Sequence, residues 1–172
     1  PTRKNVWVSA KEKNDFTFQV SKNPDLVNLN SDGVLLAEIT DTKTPEQFLI
    51  QYQNSTQFLS RYKAVENAIE NLTKNPAALK TVVAALKDSN FRIRGKALVG
   101  LDLSKPDQAK AALAEVEKMA SSDPKTLVQG AAISALGKIK DKKYLPLFEK
   151  GMNAVSNSVK ANSLAGIAAV DP

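Results

Sequence analysis

The sequence predicts a mostly α-helical chain: an α-α superhelix of paired helices over residues 44–172, preceded over residues 1–43 by a few antiparallel β-strands of the kind that complete a β-sandwich. Three observations carry this expectation. Before residue 44, apolar and polar side chains alternate with period two. After it, apolar residues recur at spacings of three and four, and one small residue returns about once per helix pair.

The strands come first. In Asp15-Phe16-Thr17-Phe18-Gln19-Val20 the apolar Phe16, Phe18 and Val20 alternate with polar neighbours, which places them on one face of a half-buried strand. Asn5-Val6-Trp7-Val8 and Val34-Leu35-Leu36-Ala37-Glu38-Ile39 are expected to be strands as well. Turn chemistry separates these runs at Lys13-Asn14-Asp15, Asn23-Pro24-Asp25 and Asp32-Gly33, where glycine tolerates positive φ. Short strands with open edges need a partner, so the region is expected to join a sandwich whose other strands lie upstream, or to pack on the helices.

At Thr44-Pro45-Glu46-Gln47 the period changes, with Thr44 as N-cap, Pro45 at the first helical position and Gln47 closing a capping box. Phe58, Tyr62, Val65, Ile69 and Leu72 then line one stripe of a helix. Asn75-Pro76 opens the next, with Leu79, Val82, Val83 and Leu86 on its buried side. Further starts read at Asn90, at Ser104-Lys105-Pro106-Asp107, at Asp123-Pro124, near Asp141 and at Asn157, giving about eight short helices. The large side chains Phe48, Leu49, Tyr52, Phe58 and Tyr62 suit a junction between the two parts, whereas the last helix carries small residues around Leu164 and Ile167.

Self-similarity makes the helical part more specific. Segments beginning at Arg61, Arg94, Gln129 and Lys160 each place a small residue three positions on, and most place an aliphatic residue four beyond that. The small residues Ala64, Ala97, Ala132 and Ser163 are 33, 35 and 31 residues apart, close to one helix-turn-helix unit. The pattern resembles HEAT-type repeats, in which an acidic or Asn cap precedes Val-Arg-x-x-Ala-x-x-x-Leu, as in Phe91-Arg92-Ile93-Arg94-Gly95-Lys96-Ala97.

Composition limits the chemistry. With 42% hydrophobic and 24% charged residues the chain can bury a core, but it has neither histidine nor cysteine. Thiol nucleophiles, disulfides, imidazole acid/base catalysis and zinc sites built on imidazole or thiolate are therefore excluded. The carboxylate pairs Glu115 with Glu117 and Glu66 with Glu70 read as solvated helix faces. Glycines at Gly95, Gly100, Gly130, Gly137 and Gly166 match no phosphate loop and are expected at close helix contacts. No catalytic, cofactor-binding or metal-ligating residue is assigned. No apolar run approaches the roughly 20 residues that span a bilayer.

The net charge of +6 lies in the helices, since residues 1–45 balance. Lys125, Lys138, Lys140, Lys142, Lys143, Lys150 and Lys160 concentrate it against Asp141 and Glu149. A nucleic-acid face is the reading this raises, and arginine's scarcity, four of 24 basic residues, speaks against it. Tyr144 and Phe148 are assigned to core by helical spacing rather than to base stacking.

One longer resemblance spans residues 5–75. Phe16 to Val20, then Pro24 to Glu38, then Lys43-Thr44-Pro45-Glu46-Gln47 and Arg61-Tyr62-Lys63-Ala64 together resemble aminopeptidase N-type zinc metallopeptidases of the gluzincin class. In that family a β-sandwich follows the catalytic domain and HEAT-like helix pairs come next. The resemblance implies a non-catalytic C-terminal scaffold or lid, zinc in a catalytic domain upstream of Pro1, and as partners that domain and the parent's peptide substrates. Its His-Glu-x-x-His and Gly-x-Met-Glu-Asn motifs have no counterpart, Met119 and Met152 lying in Lys-Met-Ala and Gly-Met-Asn. The fragment alone is therefore not expected to be an enzyme. Alternatives are a stand-alone HEAT-repeat interaction module or, less favoured, a basic nucleic-acid-binding solenoid. No membrane partner is expected, and cytoplasm and periplasm stay equally open.

Overall fold

The computed structural model describes residues 2–11, 13–31, 33, 34, 36, 39, 40 and 42–171. Among them lie eight α-helices and one 3₁₀ turn: α1 Pro45–Asn54, α2 Phe58–Glu70, α3 Pro76–Ala85, α4 Phe91–Gly100, α5 Pro106–Ser122, α6 Thr126–Gly137, the turn Lys142–Tyr144, α7 Leu145–Met152 and α8 Asn157–Val170.

Local chemistry starts several of these helices where the sequence says it should. Thr44 Oγ1 accepts from Gln47 N at 3.3 Å while Gln47 Oε1 accepts from Thr44 N at 2.9 Å, so two orphan donors at the start of α1 are satisfied reciprocally. Asn75 and Asn90 cap α3 and α4 by accepting from Ala77 N and Arg92 N. Asp141 starts the 3₁₀ turn in the same way through Lys143 N. α5 begins at Pro106 and α8 at Asn157, within the expected starts, but without a side-chain cap: Ser104 bonds back to Asp102, and neither the Lys105 nor the Ser156 side chain accepts from the first turn that follows it. Asp123 is drawn into an ion pair with Arg94, and α6 begins at Thr126, two residues later than its proline suggests.

No strand forms among the described residues of 2–43, where three strands were expected. Period-two alternation decides which face a strand would bury, but a strand exists only when a neighbour completes its hydrogen-bond ladder. Without one, Trp7 is 88% exposed, and Val8, Phe16, Phe18 and Val20 also face solvent. Leu35, Ala37 and Glu38 of the third expected strand, and Asp32 of the turn before it, lie outside the described residues. Gly33 does adopt the positive φ foreseen for it, +68°, and closes a turn on Asn30 O at 2.9 Å. Ser9 and Asn14 close another: Asn14 Oδ1 accepts from both Ser9 N and Ser9 Oγ, and Asn14 Nδ2 donates to Ser9 O.

Helices adjacent in the chain pack on one another, α1 with α2, α2 with α3, α3 with α4, α5 with α6 and α7 with α8. Neighbour relations also skip a helix. Contacts run from α2 to α4, α4 to α6 and α6 to α8, and from α1 to α3 and α3 to α5. One contiguous core results, with Val65, Ile93, Leu98, Val116, Ile133, Leu136 and Phe148 wholly enclosed. The recurring small residues occupy its tightest points: Ala64, Ala97, Ala132 and Ser163 each have 0% exposure. Any larger side chain there would have to displace a neighbouring helix.

A polar ladder accompanies this stacking. Arg61 in α2 donates to both carboxylate oxygens of Asp88, in the turn between α3 and α4, and through Nη1 to Ser55 O and Thr56 O in the turn before its own helix. Arg94 in α4 repeats the pattern with Asp123, in the turn between α5 and α6, and with Asp88 O and Ser89 O. At the next step Gln129 stands where the arginines do and Ala154 where the aspartates do. Both partners are neutral there, so neither leaves a buried charge behind.

Candidate interaction surfaces

The first candidate surface is the junction between residues 28–43 and the first helix pair. Lys43 Nζ donates to Asn28 Oδ1 at 3.0 Å and to Gln51 Oε1 at 2.7 Å, and lies over the Phe48 ring. Gln51, only 4% exposed, passes the connection on by donating from Nε2 to Ser60 O at 2.8 Å, and Asn28 Nδ2 donates to Ser60 Oγ. A cavity of about 240 Å³ beside this network is lined by Asn28, Leu29, Phe48, Gln51 and Leu59. Buried polar groups are tolerable only when satisfied, and here each one satisfies another, which fixes how the segment meets α1 and α2. Of the aromatic residues expected at this junction, Phe48 and Tyr52 are buried, whereas Phe58 and Tyr62 are half-buried and stack with ring centroids 5.5 Å apart.

A second surface runs across α4, α6 and α8. Here a groove of about 240 Å³ is lined by Val99, Leu127, Ala131, Ser134, Lys138 and Asn162. Val99 and Leu127, 74% and 64% exposed, leave apolar surface in contact with water beside the groove's polar side chains, Ser134, Lys138, Ser158 and Asn162. Lys138 puts a cation at its edge, and this lysine's field also helps hold the Asp102 carboxyl low, behind the larger effects of the Ser104 hydroxyl and amide.

The carboxylate pairs serve as links between helices rather than as acid/base pairs. Glu66 accepts from Lys96 at 2.9 Å, joining α2 to α4, and that hydrogen bond raises the lysine's pKa while its ammonium lies over the Tyr62 ring. Glu115 pairs with Lys87, and Glu117 accepts from Tyr144 Oη at 2.6 Å and pairs with Lys143. Burial, then the Glu117 carboxylate, pushes the Tyr144 hydroxyl up. Glu70 is exposed and joins no such link among the described residues.

The lysine-rich stretch is partly neutralised by the same means. Lys142 pairs with Asp171 and Lys143 with Glu117, while Tyr144 and Phe148 go to the core at 5% and 0% exposure, as their spacing suggests. No protein-family model matches this chain, and no curated protein matches it. What these surfaces can hold follows from their own chemistry. Among the described residues no group of three or more carboxylates converges in a way that could hold a metal ion, and no helix is long and apolar enough to cross a membrane.

The glycines divide into two kinds. A Cβ on Gly130 would lie 2.6 Å from Ser158 Oγ, and one on Gly137 would lie 3.2 Å from Gly166 Cα, so α6 and α8 touch almost backbone to backbone. Gly100 abuts Ile69, Gly166 abuts Phe148, and Gly151, which sequence reasoning passed over, abuts Ser163. Gly95 departs from the expectation of a close contact, with nothing within 4 Å of its absent side chain.

Proposed function

We propose that this chain is the non-catalytic C-terminal scaffold of a larger zinc aminopeptidase, its helix pairs forming a HEAT-like superhelix that shapes access to a catalytic domain upstream. The junction carries the reading. Asn28 and Lys43 are tied to Gln51 of α1 and Ser60 of α2, at the place where the family resemblance sets the passage from sandwich to helices. The exposed alternating residues from Val6 to Val20 suit strands that would pair with the rest of a sandwich. Support for the superhelix comes from the helix-skipping neighbours and from the Arg61–Asp88 and Arg94–Asp123 ladder. The chain's own residues do not fit zinc, having no imidazole or thiolate, so no step of zinc chemistry belongs to them.

The exposed apolar side chains Val99 and Leu127 beside the groove favour a second reading, a stand-alone protein-interaction module. The two separate cleanly. In the coding sequence upstream of Pro1, the enzyme reading requires His-Glu-x-x-His with a downstream glutamate, and its absence would leave the interaction module. If the motif is present, steady-state kinetics on a peptide-length series should differ between the parent and a form lacking residues after Ser156. An unchanged length profile would make the helices a remote docking surface. A basic nucleic-acid face is disfavoured by the pairing of Lys142 and Lys143, and DNA or RNA binding that survives physiological salt would reinstate it.

A further inference from the structure

The outer face of α8 carries, at one aliphatic position, the counterpart of residues that are buried on α2, α4 and α6. Counting from Arg61, Arg94, Gln129 and Lys160, the residue four further on is Val65, Leu98, Ile133 and Leu164. The first three are at most 2% exposed, and Leu164 is 57% exposed. On α6 the positions one and eight further on are Gly130 and Gly137, where α8 comes to rest. On α8 the same positions are Ala161 and Ala168, small and exposed. Charge continues the comparison. Arg61 and Arg94 each meet an aspartate in the interhelix turn of the pair that follows, whereas Lys160 is exposed and has no carboxylate partner among the described residues.

We infer that the face of α8 bearing Lys160, Ala161, Leu164 and Ala168 is the docking surface for a helical hairpin whose interhelix turn presents a carboxylate. The interface it would make combines features of the earlier ones: the aliphatic contact of α2, α4 and α6, the small contacts of α6, and the cation that Arg61 and Arg94 supply on α2 and α4. A second copy of this chain does not fit. Its first hairpin turns through Ser55-Thr56-Gln57, which carries no carboxylate, and its outer side is occupied by Asn28 and Lys43. The opposite ends of the helical stack thus differ: a satisfied polar network closes the first, and an aliphatic side chain with an unanswered cation opens the last. The inference rests on the repeat stacking and is independent of the metallopeptidase reading.

The probe is the chain's own α5–turn–α6 hairpin, residues 102–138, repeated after Asp171 in the full chain. Amide hydrogen exchange across residues 160–168 should slow by about tenfold or more in the extended protein. Leu164→Glu in that protein should return the exchange to its original rate, as should lysine at the added copy of Asp123. In the unextended chain Leu164→Glu should leave the melting temperature nearly unchanged, because the side chain is already in water. Equal protection of α8 with leucine or glutamate at position 164 of the extended protein would overturn the docking. Ala97→Leu reads the stacking separately: if it is tolerated, the repeat reading itself fails, whereas a destabilised Ala97→Leu with an unprotected α8 removes the docking alone.

Discussion

Arg94 and Asp123, separated by 29 residues, form a parallel two-point ion pair, with Nε and Nη2 donating to the two carboxylate oxygens at 2.8 Å each. Their side chains are 10% and 4% exposed, so the pair joins α4 to the turn before α6 largely out of water. Removing one partner strands the other charge. Asp123→Ala or Arg94→Ala should lower unfolding free energy by about 3–5 kcal/mol, and Arg94→Met with Asp123→Leu should lose much less. Urea denaturation of the two single variants and the double variant decides this, and additive losses would show that the charges act independently.

Gly95 and Gly137 sit in neighbouring helices and should respond oppositely to alanine. At Gly95 there is open space, so Gly95→Ala should stabilise by about 0.5–1 kcal/mol through helix propensity. At Gly137 the new Cβ meets the backbone of Gly166 at 3.2 Å, and Gly137→Ala should destabilise by about 1–3 kcal/mol. Thermal melts of both proteins under one condition test the contrast.

Ser163 Oγ is buried without a hydrogen-bond partner, at the place where the other repeats have alanine. Ser163→Ala removes a hydroxyl that has no hydrogen-bond partner among the described residues. A gain of about 1 kcal/mol is expected in chemical denaturation, and a loss would mean the hydroxyl has a partner in solution.

At the junction, side-chain size alone suggests a full aromatic-to-alanine penalty at Phe58 and Tyr62, but both are half-buried. Each should cost about 1–2 kcal/mol, whereas Phe48→Ala, at 6% exposure beneath Lys43, should cost about 3–5 kcal/mol. Equal penalties at Phe48 and Phe58, read by denaturation, would contradict this placement.

Tyr52 donates to Asp88 Oδ2 at 3.0 Å, and burial, followed by the Asp88 charge, pushes its hydroxyl well above the usual tyrosine range. The unfolded chain then loses this proton at lower pH than the native one. Stability should therefore be complete below about pH 10 and fall as pH rises above it, by up to about 1.4 kcal/mol per pH unit for this group. Tyr52→Phe should flatten the alkaline decline relative to the parent. An unchanged slope in denaturation midpoints from pH 9 to 11 would assign it to other groups.

What the sequence could disclose depended on how far apart the interacting groups lie. Thr44 and Gln47, or Asn75 and Ala77, settle their business within one turn, and their caps were readable for that reason. The spacing of Ala64, Ala97, Ala132 and Ser163 was readable because one packing problem is solved four times. Arg61 and Asp88 are 27 residues apart, and nothing local to either names the other. A signal was present all the same, since Asp88 precedes Arg94 and Asp123 precedes Gln129 by the same interval. The strands fail for a different reason: Phe16, Phe18 and Val20 specify a face, and a face does not supply the neighbouring strand that would cover it.

Asp88 looks both ways along the stack: its carboxylate answers Arg61 while its main-chain carbonyl receives Arg94. Asp123 offers the same carboxylate to the arginine before it. An in-frame loss of residues 88–122 would therefore bring Asp123 to the position Asp88 had occupied, facing Arg61, with no charge of the ladder itself orphaned. Gain of such a unit is equally neutral for the pairing. The ladder thus makes the Arg–Asp seam interchangeable from one step to the next, so that a unit of this length can be removed or added with that pairing still matched.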